Sequence, residues 1–152
     1  MANTTSILPL DPQRFERVRK LLFSAARQLI GADGVTFVLK DGTDCVYMEE
    51  DAIGPLWKGR RFPLRECVSG WVMTHASPVV IPDVFNDSRV PVDAYSPTFV
   101  RAMAMVPVGK EHPIGAIGAY WSAVGYEATP SQLETLTALA DSAALALLDP
   151  IE

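Results

Sequence analysis

Ala102-Met103-Ala104-Met105-Val106-Pro107-Val108, then Gly109-Lys110-Glu111-His112-Pro113, then Ile114-Gly115-Ala116-Ile117-Gly118-Ala119-Tyr120-Trp121: this stretch decides the fold. Two apolar runs of strand length are separated by a short segment rich in turn residues, which predicts two buried strands. A turn that short joins antiparallel strands, because a parallel crossover needs a dozen or more residues. The doubly wound α/β arrangement is therefore excluded and the chain is expected to be α+β. Gly115 and Gly118 inside the second strand indicate that something packs closely against it.

Downstream, Thr129-Pro130-Ser131-Gln132 reads as a helix start, with Thr129 as cap, Pro130 in first position and Gln132 completing a capping box. Leu133, Leu136, Ala140, Ala143 and Leu147 then form one stripe, and Leu139, Leu145 and Leu148 widen it, so this helix is expected to be covered on more than one side. Upstream, Asp11-Pro12 opens a first helix predicted over residues 12–30, with Phe15, Val18, Leu21, Leu22, Ala25, Ala26, Leu29 and Ile30 at helical spacing and a stop at Gly31. Residues 1–10 show no periodicity and are expected to be a flexible tail; residues 11–152 are expected to form a single domain.

Between the helices, Val35-Thr36-Phe37-Val38-Leu39 and Cys45-Val46-Tyr47-Met48 predict a hairpin turned by Lys40-Asp41-Gly42. Residues 49–65, broken by Gly54, Pro55, Gly59 and Pro63, read as a long loop, a type that is usually functional. Residues 68–75 predict one or two helical turns, Pro78-Val79-Val80-Ile81-Pro82 a short strand whose prolines suit a sheet edge or a strand end, residues 83–97 irregular chain, and residues 98–101 a helical turn.

The chain has 152 residues, 49% hydrophobic and 20% charged, and a formal net charge of −5, enough apolar material for one core and too little basic charge for a nucleic-acid partner. No apolar run has the length of a membrane span, and Met1-Ala2-Asn3-Thr4-Thr5 lacks the basic start of a secretory signal, so no membrane contact and a cytoplasmic location are expected. Cys45 and Cys67 are the only cysteines, too few and too unpatterned for a disulfide scaffold or zinc site, and read as dispensable structural thiols. No metal site is expected.

Signatures of nucleophilic, phosphate-binding and zinc-dependent catalysis are missing from the sequence. His75 and His112 read as turn or surface residues. Asp83, Asn86, Asp87 and Arg89 admit two readings, turn chemistry or the orientation of a ligand, and the basic group Lys58, Arg60, Arg61 and Arg65 admits a solvated loop or an anion site. Trp57, Trp71, Tyr95, Phe99 and Tyr120 suit either core packing or the aromatic wall of a small-molecule pocket.

Taken with the element order, several local patterns resemble the GAF domain: Cys67-Val68-Ser69-Gly70-Trp71-Val72, Pro78-Val79-Val80-Ile81-Pro82-Asp83-Val84, Asn86-Asp87-Ser88-Arg89-Val90-Pro91, Met103-Ala104-Met105-Val106-Pro107-Val108 and Pro113-Ile114-Gly115-Ala116-Ile117-Gly118-Ala119-Tyr120-Trp121. With Trp57-Lys58-Gly59-Arg60-Arg61-Phe62-Pro63 ahead of Ser69-Gly70-Trp71, the chain is similar to GAF modules of bacterial sensor and hybrid histidine kinases. The resemblance implies a central antiparallel sheet, with the N- and C-terminal helices on one face and a pocket under loops and short helices on the other, as in GAF and PAS domains. It implies a non-catalytic sensory domain that binds a small molecule and acts with a histidine kinase or phosphorelay. A free methionine sulfoxide reductase of this fold is the alternative enzyme. Its attacking cysteine would stand where this chain has Ser69, and its resolving cysteine in the loop after Asp83, which has none. A dimerisation module with a filled pocket is a further alternative. Bilin-bearing relatives attach the chromophore through cysteine, and the matching Tyr95-Ser96-Pro97-Thr98-Phe99 has none, so no covalent bilin is expected.

Strand alternation places Ala116, Gly118 and Tyr120 on one face and Ile117, Ala119 and Trp121 on the other. The second set suits the terminal helices, which leaves a void over Ala116 and Gly118, with Tyr120 as its polar handle. The expected ligand site is Trp71, Asp83, Tyr95, Phe99, Arg101, Met103, Met105, Gly118 and Tyr120, with Asp83 or Arg101 fixing a polar ligand group. The first helix is basic, and after Lys110 the chain holds only acidic charges, so the two terminal helices are complementary within one subunit or across a dimer, and a homodimer through residues 12–30 and 130–148 is expected.

Overall fold

The computed structural model describes Leu8, residues 10–23 and residues 25–148. The chain order is α1 (Pro12–Phe23), α2 (Ala26–Ile30), β1 (Gly34–Asp41), β2 (Asp44–Ala52), β3 (Arg61–Pro63), α3 (Val68–His75), β4 (Val79–Ile81), α4 (Val92–Tyr95), β5 (Ala102–Val108), β6 (Gly115–Trp121) and α5 (Pro130–Leu148). The six strands form one sheet in the order β3-β2-β1-β6-β5-β4, antiparallel at every pairing. The decisive pair, β5 and β6, runs from Ala102 opposite Trp121 to Val108 opposite Gly115. The α+β expectation holds, and β4 is an edge strand as its flanking prolines require.

Alternation along the strands divides the core in two. Val35, Phe37 and Leu39, Ala102, Ala104, Val106 and Val108, and Ile117, Ala119 and Trp121 point to α1, α2 and α5. Val38, Cys45, Tyr47, Met103, Met105, Ala116 and Tyr120 point to the opposite face, where α3, α4 and the loops lie. A bulge in β2 sits between these layers: Phe37 faces Glu49 but Val38 faces Tyr47, leaving Met48 unpaired. The extra residue resets the alternation. Tyr47 points to the loop face, Met48 packs on the helix side, and Glu49 meets Arg19 of α1 at 3.3 Å. Glu50 then returns to the loop face, where its carboxylate accepts hydrogen bonds from the backbone of Leu56, Trp57 and Lys58.

The helix signals act as read. Asp11 Oδ1 accepts from the backbone of Gln13 at 2.7 Å and Arg14 at 3.3 Å. Thr129 Oγ1 accepts from the Gln132 amide while Gln132 Oε1 accepts from the Thr129 amide, a reciprocal capping box. The terminal helices lie together, with Arg14 Nη1 donating to the carbonyls of Ala146 and Leu147 at the end of α5, where the helix dipole favours a cation. Of the tail expected over residues 1–10, Leu8 and Leu10 are described, and both pack against the helix-side core; the others lie outside the described residues.

Four boundaries differ from the sequence reading. The helix expected over 12–30 is two helices, because Ala25 is non-helical at φ −150° and ψ 0° and α2 restarts there. No proline or glycine marks this break; packing overrides propensity, as Ala26 and Ile30 are both buried and Ile30 joins the helix-side core. β2 continues through Glu49, Glu50 and Asp51, poor strand formers that pair with Phe37, Thr36 and Val35. The long loop is correspondingly shorter and ends in β3, which pairs with residues 44–46. Residues 98–101 are bends rather than a helical turn; the turn lies earlier, at α4, where Thr98 Oγ1 donates to the Tyr95 carbonyl and stops it.

Helix α3 is tightly bounded at both ends. A side chain at Gly70 would run into the backbone carbonyl of Leu64. Ala76, just past the helix, takes the left-handed conformation at φ 49° and is the only non-glycine with positive φ among the described residues. Opposite substitutions should therefore have opposite signs. Gly70→Ala should destabilise by about 3 kcal/mol, since backbone must move. Ala76→Gly should stabilise by about 0.5 kcal/mol, the relieved left-handed strain exceeding the added unfolded-state entropy. Urea unfolding of both variants checks the pair of signs.

Candidate functional site

The loop face of the sheet carries a layer of aromatic rings. Trp57, held in place by the Glu50 cradle, lies 4.6 Å from Tyr95, 5.4 Å from Tyr120 and 5.6 Å from Tyr47, measured between ring centres. Their polar atoms are all partnered. Trp57 Nε1 donates to the Ala94 carbonyl at 2.9 Å, Tyr120 Oη pairs with Thr36 Oγ1 at 2.8 Å, Tyr47 Oη pairs with Ser69 Oγ at 3.1 Å, and Tyr95 Oη reaches Met103 Sδ at 3.5 Å. Burial pushes all three phenols above their ordinary pKa, so none ionises at neutral pH.

Of the nine residues expected to form the site, Tyr95, Met103, Met105, Gly118 and Tyr120 are brought together on this face, but the expected void is filled. The Tyr120 hydroxyl and the Met105 methyl sit where a Gly118 side chain would be. The glycine is a seat for the phenol of its own strand, two residues on. Phe99 packs at the rim, its ring against Gly34 and Gly54. Asp83 and Arg101 are not part of this layer. Asp83 accepts from the Phe85 amide and from Asn86 Nδ2, which is turn capping. Arg101 Nη1 donates to the carbonyls of Thr98 and Val100, and its guanidinium lies 5.2 Å from the Phe85 ring centre. Both polar groups are committed locally, so the role of fixing a ligand in that void is not theirs.

Trp71 opens elsewhere. It projects from α3 into a groove of about 260 Å³ lined by Leu64, Arg65, Cys67, Thr74, His75 and Arg89. The His75 ring stacks on Trp71 at 4.3 Å with an interplanar angle of 21°, one helical turn along, and its Nδ1 lies 2.9 Å from the Trp71 carbonyl. The Arg89 guanidinium lies 4.6 Å from the indole. Asp87 holds that guanidinium through both carboxylate oxygens, at 2.9 and 2.6 Å, and these side-chain hydrogen bonds, helped by the opposite charge, draw the Asp87 pKa below the usual carboxylate range and the Arg89 pKa upward. Behind the groove, Cys67 Sγ lies 3.4 Å from Cys45 Sγ and 3.3 Å from Ser69 Oγ.

Sequence reasoning singled out Trp71 but missed Leu64, Thr74 and Cys67 as lining residues; His75, read as a turn or surface residue, is exposed at the groove, and Arg65 was left between a solvated loop and an anion site. The signal available for His75 was its four-residue spacing from Trp71 on a helix. Nothing in the spacing of Cys45 and Cys67 announced their contact. Among the described residues no group of three or more His, Cys, Asp or Glu side chains is placed to hold a metal ion, and no helix is long and apolar enough to cross a membrane.

A single six-stranded antiparallel sheet, with a helix pair on one face and a groove beside a short helix on the other, is an α+β architecture. Residues 15–147 match the GAF domain family, and the chain belongs to it. The fold is similar to the GAF-B domain of DevS from Mycobacterium smegmatis, with a TM-score of 0.69, 21% identity, and coverage of 87% of this chain and 91% of that one. It is also similar to the free methionine-R-sulfoxide reductase from Neisseria meningitidis, with a TM-score of 0.68, 22% identity, and coverage of 85% and 78%. The cyanobacteriochrome receptor PixJ gives a TM-score of 0.74 at 17% identity, with coverage of 90% and 98%. No curated protein sequence matches the chain.

The Asp87–Arg89 clamp has a pH signature. Because the folded-state pKa of Asp87 is lowered, the pair stabilises the fold above the unfolded carboxylate pKa and loses that contribution as pH falls through the folded value. Asp87→Asn should cost at most about 1 kcal/mol at neutral pH, since the pair is partly exposed. The difference in urea unfolding between variant and parent should shrink progressively as pH is lowered through and below the ordinary carboxylate range.

Proposed function

We propose that this GAF domain is a sensory, regulatory module that binds a small molecule in the α3 groove and controls a histidine kinase or phosphorelay in the cytoplasm, with no catalysis of its own. The observation that carries this reading is the Trp71 wall. An indole stacked with an imidazole, beside a guanidinium pinned by Asp87, presents aromatic surface and positive charge to one small opening. Such a wall suits a small planar or anionic ligand. The groove, at about 260 Å³, lies just below the roughly 300–1,000 Å³ of drug-sized sites, which favours a metabolite-sized occupant. The aromatic layer beneath it is closed and fully hydrogen-bonded, well suited to transmit a shift of α3 to the sheet. The reductase reading is disfavoured because Ser69 stands where the attacking thiol is needed, its hydroxyl spent on Tyr47 and Cys67. No covalent bilin is proposed for a Tyr95-Ser96-Pro97-Thr98-Phe99 segment without a thiol.

The proposal includes a homodimer through residues 12–30 and 130–148. Leu136 and Leu147 are internal core rather than dimer surface, at 0% and 4% exposure, so glutamate at either would unfold the subunit. The surface available for a second copy carries Leu29, Leu145 and Leu148, which are 69%, 61% and 55% exposed.

Native mass spectrometry of freshly purified protein should show a retained small molecule, and Trp71→Ala should lose it while keeping the folded charge-state distribution. A parent that carries no adduct, together with a Trp71→Ala variant indistinguishable in metabolite-library thermal shifts, would overturn the reading. For the dimer, sedimentation at high micromolar concentration should show twice the monomer mass, and Leu145→Glu should return the monomer with little change in unfolding free energy. A strictly monomeric parent would refute that interface.

A further inference from the structure

We propose that Cys45 and Cys67 form a reversible intramolecular disulfide, written by a hydroperoxide that enters through the α3 groove. The pair is made by the fold rather than by spacing. Cys45 lies on β2 opposite Phe62 of β3, and the chain returns from β3 through a tight turn to set Cys67 at the start of α3. The two sulfurs are already 3.4 Å apart, so small side-chain rotations would bring them to the roughly 2.05 Å of a disulfide.

The two thiols are not equivalent. Cys45 is fully buried behind Cys67, whereas Cys67 lines the groove together with Arg65, Trp71, His75 and Arg89. At Cys67 the contact with Cys45 lowers the pKa, burial opposes it, and the Ser69 hydroxyl with the backbone amides of Gly70 and Ser69 lowers it further, to about 7. Cys45 is pushed up by its contact with Cys67 and by burial. The thiolate therefore forms on the sulfur that the groove reaches, and the proton stays on the one behind it.

The chemistry closes without a metal or a third thiol. The Cys67 thiolate attacks the terminal oxygen of the hydroperoxide; the S–O bond forms, the O–O bond breaks, and the departing alkoxide or hydroxide takes up a proton from water. Sulfur is oxidised by two electrons and the peroxide is reduced. The Cys45 sulfur then attacks the sulfenic sulfur of Cys67. The S–S bond forms, the S–O bond breaks, and the leaving hydroxide accepts the Cys45 proton as water. The sum is two thiols and one hydroperoxide giving a disulfide, an alcohol or water, and one water. A dithiol reductant reverses it by exchange. The reaction modifies the protein once per oxidation, and it rests on the placement of the two sulfurs at the groove, not on the proposed ligand.

The test uses the full chain, reduced and then treated with a small molar excess of hydrogen peroxide or cumene hydroperoxide. Intact mass after alkylation should show both thiols lost and two hydrogens fewer, tryptic mapping should find the Cys45–Cys67 peptide pair, and dithiothreitol should restore the parent. Cys45→Ser should stop at a sulfenic acid on Cys67, trapped by dimedone. Cys67→Ser should slow oxidation of the remaining thiol by about tenfold or more, since only a protonated, buried thiol is left. Peptide mapping of the parent needs no variant to fold and decides the matter by itself. Retention of both thiols in folded parent at excess peroxide, disulfides only between chains, or oxidation of Cys67→Ser as fast as the parent would each overturn the proposal. None of these results depends on the retained-ligand measurement, so the two readings fail separately.

Discussion

Everything on this domain hangs on a strand that has no solvent side. Every residue of β6, from Gly115 to Trp121, is buried. Its odd-numbered side chains from Ile117 onward lock the terminal helices to the sheet, and its even-numbered ones face the aromatic layer. Trp121 reaches further still, donating its indole N–H to the Gly31 carbonyl at the end of α2. On the other face Tyr120 anchors to Thr36 of β1 and supports Trp57. A strand confined on both faces cannot slip by one residue without exchanging its two layers, so its register fixes which side becomes helix core and which becomes site.

That constraint explains what was legible in the sequence. The division of 102–108 and 115–121 into two faces followed from alternation alone. So did the two helix starts, where Asp11 and the Thr129–Gln132 pair act through bonds between neighbouring residues. What stayed hidden depends on contacts between distant parts of the chain. The break before α2 has no local breaker, and the extension of β2 through three acids is imposed by pairing with β1.

The site divides in the same way. Alternation placed Tyr95's neighbours Met103, Met105, Gly118 and Tyr120 on the proper face, but not the volume between them. Whether a phenol stands away from a nearby glycine or folds over it is a choice of rotamer, set by the Thr36 hydroxyl across the sheet. The fold therefore holds a closed layer where an opening was expected, and the opening lies one step outward, at Trp71. Charged residues misled for a related reason. Asp83 and Arg101 have the right chemistry for a ligand, but the nearest backbone groups take up their bonding capacity first.

The bulge at Met48 bears on how this segment tolerates changes in length. If β2 were straightened with every residue kept, Glu49 would be carried under the aromatic layer and Glu50 against α1. Loop 56–58 would then lose the carboxylate that seats Trp57, and Arg19 would face the wrong acid. Deleting Met48 alone would leave both acids on the sides they now occupy, since the strand would simply regain its two-residue period. A single-residue deletion is thus tolerable at one place in this strand, and the same loss one turn of the pleat further along would misdirect the whole loop.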